Sequence, residues 1–246
     1  MTKHHYILIA LSVIAGISCN RENAPDCFQT AGDITTVRRD IAPFTLIDYY
    51  DYIQLELVDT NQWFVEITAP TNLIPEIVTE STGGVLTIRN DNQCNWVRSF
   101  KNKIIVRIGA PEFTEIENHG TGDIRSVNIL TGSRFTIENR HSAGLIDLNV
   151  DMDTLSLYMH TGVSDANLRG SVHTAEIFNQ GLGLVHAENL ASAHVYCNNS
   201  SINDIYVRAS EYLYAYIRFS GNIFYSGSPS LIDLDNQGTG ELIDAD

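Results

Sequence analysis

The sequence has few basic residues. It holds 15 Lys and Arg against 30 Asp and Glu, so its formal net charge is −15. A chain this acidic repels phosphate groups unless basic residues cluster locally, and the sequence has no such cluster, which argues against nucleic-acid binding. Charged residues make up only 18% of the chain and hydrophobic residues 43%, a composition that excludes intrinsic disorder.

Long hydrophobic runs are also missing, apart from Tyr6 to Ile17 near the N-terminus. At about 1.5 Å per residue this run is too short to cross a bilayer, and it follows Lys3, so it predicts a signal peptide over residues 1–18. The sequence Gly16-Ile17-Ser18-Cys19 resembles the lipobox of bacterial lipoproteins, in which Cys19 would be freed by cleavage and lipidated. Residues 19–33 then form a polar tether. An ordinary secretory signal cut nearby is the alternative.

Cysteine is scarce, with four residues in the chain. If Cys19 carries lipid, three remain for an oxidising compartment. We predict a disulfide between Cys27 and Cys94, which would pin the tether to the folded body. Cys197 lies in a column of apolar residues and is predicted to be a buried free thiol. No Cys-x-x-Cys pair is present, so no metal site is predicted on the cysteines.

A sustained helical period is absent from residues 34–246, and a longer period takes its place. Apolar residues recur from Phe113 onward at intervals near twenty, which is typical of a stacked solenoid. Within each repeat the alternation has period two, as in strands. The apolar column consists of Ile116, Ile137, Leu157, Ile177, Cys197, Ile217 and Leu234.

The pattern predicts an all-β fold, a right-handed parallel β-helix of about seven rungs of about 20 residues over residues 111–246. Residues 34–110 have strand patterns without the period and are predicted to form a β-rich N-terminal cap, with 34–246 as one continuous domain. Two residues after the apolar column, asparagines recur and are predicted to hydrogen-bond along the column and to the bend. This ladder consists of Asn118, Asn139, Asn179, Asn199 and Asn236.

Several motifs together resemble one protein family. Asn72-Leu73-Ile74-Pro75 and Gly84-Val85-Leu86-Thr87-Ile88 are followed by Pro111-Glu112-Phe113, which leads into Gly-x-Gly repeats such as Asn118-His119-Gly120-Thr121-Gly122 and Asn236-Gln237-Gly238-Thr239-Gly240. Over residues 34–246 the chain resembles the putative auto-transporter adhesin, head GIN domain family, lipoproteins of Bacteroidetes-type bacteria. The resemblance implies a β-helical fold and brings no known catalytic residues. We expect a lipid-anchored protein of the outer membrane, on either its periplasmic or its cell-surface side.

Signatures of catalysis and of cofactor or metal binding are missing as well. There is no Gly-x-Ser-x-Gly elbow, phosphate loop or dinucleotide fingerprint. His119 and His160 fall in one column, but about 9.6 Å apart, too far to share a metal. The acidic residues Asp147, Asp151, Asp153 and Asp165 form the best local cluster, as a weak Ca²⁺ site or as the carboxylates of a polysaccharide-cleaving enzyme. The regular steps leave no room for the walls of a cleft, so we predict no enzyme, cofactor or metal.

The informative surface is aromatic. Tyr196 and Tyr216 stand one residue before the apolar column, and Tyr158 and Phe178 one residue after it, so all four are predicted to point outward on one flat face. Exposed aromatics suit contact with a glycan, an envelope protein or a host-surface protein, although such ladders also stabilise sheets. The leading hypothesis is therefore a lipid-anchored, non-catalytic, adhesin-like binding module. The alternatives are a structural or assembly module that stacks through the ends of the solenoid, and the polysaccharide-processing enzyme.

Overall fold

The structure, a computed structural model, describes residues 31–93 and 103–246. Its strands belong to one hydrogen-bonded sheet, and the one helix in the described ranges is a short 3₁₀ helix, Ile74–Glu76. The strands are β1 (Ile34–Asp40), β2 (Leu46–Tyr49), β3 (Gln54–Asp59), β4 (Phe64–Pro70), β5 (Ile77–Thr82), β6 (Val85–Asn90), β7 (Ile105–Ala110), β8 (Glu115–Asn118), β9 (Ile124–Ser126), β10 (Leu130–Asn139), β11 (Leu145–Met159), β12 (Asp165–Asn179), β13 (Val185–Asn199), β14 (Ile205–Ile217), β15 (Ile223–Ser226), β16 (Leu231–Asn236) and β17 (Leu242–Asp244).

The C-terminal two thirds form a parallel β-helix. The long strands β11 to β14 stack in parallel, and Leu157 of β11 lies opposite Ile137 of β10 and Ile177 of β12. The start of β11 pairs with β9 and its remainder with β10, so a single strand runs along more than one side of the helix. The predicted parallel β-helix is confirmed, with about six turns where the sequence predicted about seven.

The N-terminal segment combines parallel and antiparallel pairing. Strands β2 and β3 stack in parallel on β8 and β9, so a turn of the β-helix already lies within residues 46–59. Antiparallel pairs join β1 to β4, β4 to β7 and β5 to β6. Strands β6 and β7 also pair in parallel with β2 and β3, on the side away from β8 and β9. Since β4 to β7 lie between β2 and β8 in the sequence, Ile47 lies opposite Ile116 without any twenty-residue step between them. These additions cover the first turn, whose backbone would otherwise be unpaired.

The core is an inward-facing apolar column that runs the length of the helix. Full burial of each Leu or Ile in such a column contributes about 1.5–3 kcal/mol relative to exposure. At the C-terminal end Leu234 belongs to the same column but is 51% exposed. The buried members are Leu86, Ile47, Ile116, Ile137, Leu157, Ile177, Cys197 and Ala215.

One member of the predicted column is wrong. Ala215, not Ile217, lies opposite Cys197, and Ile217 instead lies opposite Asn199. The register shifts between Ala187 and His194, where the following strand is two residues shorter at its corner. A shift of two residues keeps each side chain on its inner or outer face, because strand side chains alternate with period two, but it moves every later residue to another column.

The asparagine ladder bonds mainly to the turns. Asn118 Nδ2 donates to Asn139 Oδ1 at 2.6 Å, the one side chain to side chain bond between ladder members in the described structure. Asn179 Nδ2 donates instead to Gly183 O, and Asn199 Nδ2 to the carbonyls of Asn203 and Asn222. Met159 and Ile217 interrupt the column, and Asn236 is exposed. The expected bonds along the column are therefore confined to its first step, whereas the bonds to the bend are confirmed.

The turns that contain glycine pack backbone against backbone. A Cβ on Gly183 would lie 1.7 Å from Ser164 O, and one on Gly162, whose φ is +112°, would lie 2.1 Å from Ser142 O. Successive turns thus stack too closely for any side chain at these positions. The short turn lets the strands on either side keep their register with the turn below.

Cys197 is buried and free, as predicted, and burial raises the pKa of its thiol above the ordinary value. The signal peptide, Cys19, Cys27 and Cys94 lie outside the described residues, so the predicted lipidation and the Cys27–Cys94 disulfide stay predictions. In the two described ranges no helix has the length and apolarity needed to span a bilayer.

Candidate binding face

Two outward columns on the C-terminal half of the β-helix carry the predicted aromatic residues. One column runs Tyr158, Phe178, Asn198, Tyr216 on successive strands. The neighbouring column runs Glu176, Tyr196, Tyr214. Because every one of these residues alternates with buried core residues along its strand, all of them point outward from the same side of the helix. We call this surface the aromatic face.

Tyr196 and Tyr216 both stand one residue before the predicted apolar column, but they do not share an outward column in the structure. Tyr216 lies opposite Asn198, and Tyr196 lies opposite Tyr214, because of the two-residue shift at the preceding corner. Tyr214 therefore belongs to the face, although the sequence analysis did not include it. The four predicted residues still share one face, since a shift of two does not turn a side chain inward.

The aromatic face contains a shallow open groove of roughly 430 Å³. Tyr196, 43% exposed, forms part of its wall, and the floor includes the backbone around the buried Ile177 and Cys197. The ring of Tyr212 meets Tyr196 edge to face at a centroid distance of 5.6 Å and extends this wall. The side chains lining the groove are those of Tyr158, Glu176, Phe178, Tyr196, Asn198 and Tyr214.

Glu176 is the charged group of the groove. Its Oε2 accepts hydrogen bonds from Ser156 Oγ at 2.7 Å and from Tyr158 OH at 2.9 Å, and Arg134 Nη1 lies 3.4 Å away. Partial burial favours the neutral acid, but these two hydrogen bonds and the Arg134 charge outweigh it, so the pKa of Glu176 lies below its ordinary value. Partial burial and the bond to Glu176 raise the pKa of Tyr158. At neutral pH the groove holds a fixed carboxylate beside neutral phenol rings.

This arrangement is suited to binding. The ring faces can stack on apolar patches of a ligand, and the carboxylate can accept hydrogen bonds from hydroxyl groups. Glu176 is held ionised by three donors, which is the opposite of the raised pKa that a general acid needs.

The comparison with known proteins agrees with this fold. The model of the family described as putative auto-transporter adhesin, head GIN domain, matches residues 43–229. The chain belongs to this family. The resemblance noted in the sequence is thereby confirmed, and the family description supports an adhesin-like binding role for this head GIN protein at the cell envelope or surface. No curated protein sequence matches the chain.

Several solved structures resemble this head GIN protein. A putative adhesin from Bacteroides fragilis is 26% identical, with a TM-score of 0.80 over 87% of this chain and 97% of that one. A putative adhesin from Parabacteroides merdae and a putative lipid binding protein from Parabacteroides distasonis are 20% and 19% identical, with TM-scores of 0.61 and 0.63. Each covers 87% of this chain and 98% of its own, and at these identities the likeness concerns the fold alone.

A second aromatic strip on this head GIN domain was not predicted. His186, Tyr206 and Phe224 stack on successive strands of another side, with centroid distances of 4.9 and 4.8 Å and nearly parallel rings. Each stands one residue after the buried position that opens its strand, a spacing that was visible in the sequence. Exposed aliphatic residues also line the corner of three successive turns, at Val163, Leu182 and Ile202.

The predicted acidic cluster does not converge in the head GIN domain. Asp147 pairs with Arg169, and Asp165 Oδ1 accepts the backbone N–H of Leu184. Asp151 and Asp153 are exposed. Among the described residues, the one group of three acidic, His or Cys side chains with converging ligand atoms is elsewhere, at Asp48, Glu117 and His119. This arrangement supports neither the calcium site nor the enzyme that the sequence left open.

Proposed function

We propose that this head GIN protein is a lipid-anchored, non-catalytic binding protein of the outer membrane that recognises glycans through the aromatic face. The observation that carries the proposal is the groove in which the rings of Tyr158, Phe178 and Tyr196 surround the ionised Glu176. Membership of an adhesin family supports a binding role, and the lipobox-like sequence at Cys19 supports the anchor.

A glycan fits the groove better than a protein surface does. The groove is shallow and open, so it can hold part of a glycan chain whose two ends extend beyond the groove. Sugar rings present apolar C–H faces that stack on aromatic rings. Their hydroxyl groups donate hydrogen bonds that a carboxylate accepts. A protein interface would need a wider apolar core than this strip of rings offers.

The binding experiment compares three forms of the chain on an array of bacterial envelope and host-surface glycans. The wild type is expected to bind a subset of the glycans. Changing Tyr158, Phe178, Tyr196 and Tyr216 to Ser should abolish that binding, because the stacking rings are lost. Changing His186, Tyr206 and Phe224 to Ser on the other side is the matched control and should leave binding intact. Equal binding by all three forms, or wild-type binding to no glycan on the array, would contradict glycan recognition by this face.

The anchor has its own test. The Cys19→Ala variant should leave the detergent-rich phase in a phase-partition experiment, whereas the wild type should remain there. Retention of the variant in that phase would show that lipid at Cys19 is not the anchor. Protease treatment of intact cells then decides whether the domain faces the cell surface or the periplasm.

One observation favours the alternative of an assembly module. The last inward-facing residues, Ile232 and Leu234, are 37% and 51% exposed at the C-terminal end of the β-helix. If copies stack end to end there, light scattering should detect association that rises with concentration and disappears in Leu234→Glu. Association that persists in this variant, or monomeric wild-type protein, would contradict stacking.

A further inference from the structure

A histidine and two carboxylates converge at the N-terminal end of the side that carries the aromatic face. Asp48 of β2 lies opposite Glu117 of β8 on the outward side, and His119 follows β8 by one residue. One ligand atom from each of the three side chains lies within 4.8 Å of the other two. His119 Nε2 is 3.9 Å from Glu117 Oε2. Asp48 is remote from the other two in sequence, and only the stacking of β2 on β8 brings it here.

The backbone and an aromatic ring hold these side chains in place. The N–H of His119 donates to Tyr49 O at 2.8 Å, which fixes His119 beside Tyr50. The imidazole stacks on the Tyr50 ring at a centroid distance of 5.1 Å and an interplanar angle of 14°. The Tyr50 hydroxyl donates to Asp48 Oδ2 at 3.1 Å. Tyr50 therefore orients both the imidazole and one carboxylate, as residues around metal ligands commonly do.

In the described ranges, no Lys or Arg side chain neutralises the carboxylates of Asp48 and Glu117. Like charges directly opposite each other on neighbouring strands repel. In the described part of the chain neither Asp48 nor Glu117 pairs with Lys or Arg, and His119 is the one basic group paired with Glu117. Asp48 Oδ1 is shielded from solvent and has no hydrogen-bond partner. A shielded carboxylate oxygen without a partner is unfavourable unless something supplies positive charge.

On the next strand of the same outward column a Glu also lies beside a His, but there an arginine balances the carboxylate charge. Glu138 follows Glu117 in the same outward column, and its Oε2 lies 2.6 Å from His160 Nε2 and 3.1 Å from Arg140 Nη2. Arg140 thus neutralises Glu138, whereas no guanidinium reaches Glu117 from the described residues. The site at Asp48, Glu117 and His119 differs in leaving room for a cation where Glu138 has an arginine.

We propose that Asp48, Glu117 and His119 bind one first-row divalent metal ion of the Zn²⁺ type. One imidazole with two carboxylates is a borderline donor set, and the imidazole favours Zn²⁺ over Ca²⁺ or Mg²⁺. Ligands about 2.1 Å from a tetrahedral Zn²⁺ are about 3.4 Å apart, so the side chains need to close by an ångström or so. Water completes the coordination. The bound ion neutralises the two carboxylates and joins β2 to β8, the junction between the N-terminal segment and the regular turns.

The test measures metal binding by the full chain, purified without a histidine tag and freed of metal by a chelator. Isothermal titration with ZnCl₂ should find a saturable site of one ion per chain. His119→Gln and Glu117→Gln should each weaken it about tenfold or more. His160→Gln is the matched control, because it removes the equivalent histidine beside Glu138, and it should leave the affinity unchanged. CaCl₂ should bind much more weakly than ZnCl₂ at this site.

Two further readouts separate a metal ligand from a merely structural residue. Zn²⁺ should raise the Tm of the wild type and of His160→Gln but leave that of His119→Gln unchanged, since only an ion bound to the folded state stabilises it. Co²⁺ should give visible d–d absorption in the wild type that is lost in Glu117→Gln. The proposal is overturned if the wild type has no saturable Zn²⁺ site, if both ligand variants bind as the wild type does, or if His160→Gln loses binding to the same extent.

Discussion

Tyr214 lies directly opposite Tyr196 on the next strand of the β-helix, and both rings point outward. Both side chains line the groove, and the ring of Tyr212 packs edge to face on Tyr196 at a centroid distance of 5.6 Å. Tyr216, in the neighbouring column, has Asn198 between itself and Phe178. Tyr196 and Tyr214 are therefore adjacent in one column and both line the groove, whereas Tyr216 does not line it.

The first prediction concerns Tyr214. Tyr214→Ala should weaken glycan binding about two- to tenfold, because losing one stacked ring costs about 0.5–1.5 kcal/mol. Isothermal titration with the best-binding glycan measures the effect. Tyr206→Ala removes a ring from the other aromatic strip and is the control that should bind normally. If Tyr206→Ala weakened glycan binding more than Tyr214→Ala did, the ligand would lie on the side of Tyr206 and not on the aromatic face.

The second prediction concerns the pH dependence of Glu176. Its pKa is lowered from 4.5 by the hydrogen bonds from Ser156 and Tyr158 and by Arg134, against the opposing effect of burial. Ionised Glu176 thus adds stability that is fully present above the pKa of the unfolded chain and is lost as the pH falls through the lower pKa of the folded chain.

Urea unfolding of the wild type and Glu176→Gln checks this. The difference in unfolding free energy between the two should be constant above about pH 5 and should shrink toward about pH 3. A difference that grows on acidification would mean that the carboxyl group is favoured in its neutral form in the folded chain.

The third prediction concerns the turn glycines. Gly183→Ala should lower the free energy of unfolding by about 2 kcal/mol or more, because its Cβ would lie 1.7 Å from Ser164 O and the turn must shift. Gly181→Ala in the same turn is the control, since its nearest contact would be 3.3 Å from Gly162 O. Thermal and urea unfolding should show that the Gly181→Ala variant is considerably more stable than the Gly183→Ala variant. Equal losses would show that the close approach of the turns is not what requires glycine.

The fourth prediction concerns the asparagine column. Asn199→Leu should cost about 1–3 kcal/mol, because it removes the acceptor of the buried N–H of Ser201 and the side-chain donor to the carbonyl of Asn203. The carbonyl of Asn222 also loses this donor but keeps the N–H of Ile205. Asn236 makes similar bonds to Gly238 and Gly240, but it is exposed and water can replace it. Asn236→Leu should therefore be nearly neutral in urea unfolding. A similar cost at both positions would argue that burial of the amide does not decide its contribution.

The sequence predicted the β-helix because every turn repeats the same chemistry. Ile137, Leu157 and Ile177 recur at intervals of 20 residues, and inward positions must be apolar on every turn. The predicted register of the apolar column is wrong after Cys197, because the next strand has two residues fewer at its corner. Counting from one apolar residue to the next cannot detect such a loss, because both Ala215 and Ile217 face inward and both are acceptable core residues.

The contacts between distant segments could not be predicted. Ile47 lies opposite Ile116 only because the antiparallel strands between them fold aside, and nothing in the spacing indicates that register. The same stacking brings Asp48 to Glu117 and His119, whereas the twenty-residue period relates His119 only to His160 in its own column. Residue types on the aromatic face were predictable from alternation alone, but the role of Glu176 depends on the Ser156 and Tyr158 hydroxyls of the preceding turn.

Hydroxyl-radical footprinting of the protein with its best-binding glycan reports which side chains the ligand covers. The account predicts protection of Tyr158, Phe178, Tyr196 and Tyr214, with His186, Tyr206 and Phe224 as reactive as in the free protein. Protection of that second strip with none on the aromatic face would contradict it, and so would a bound glycan that protects neither.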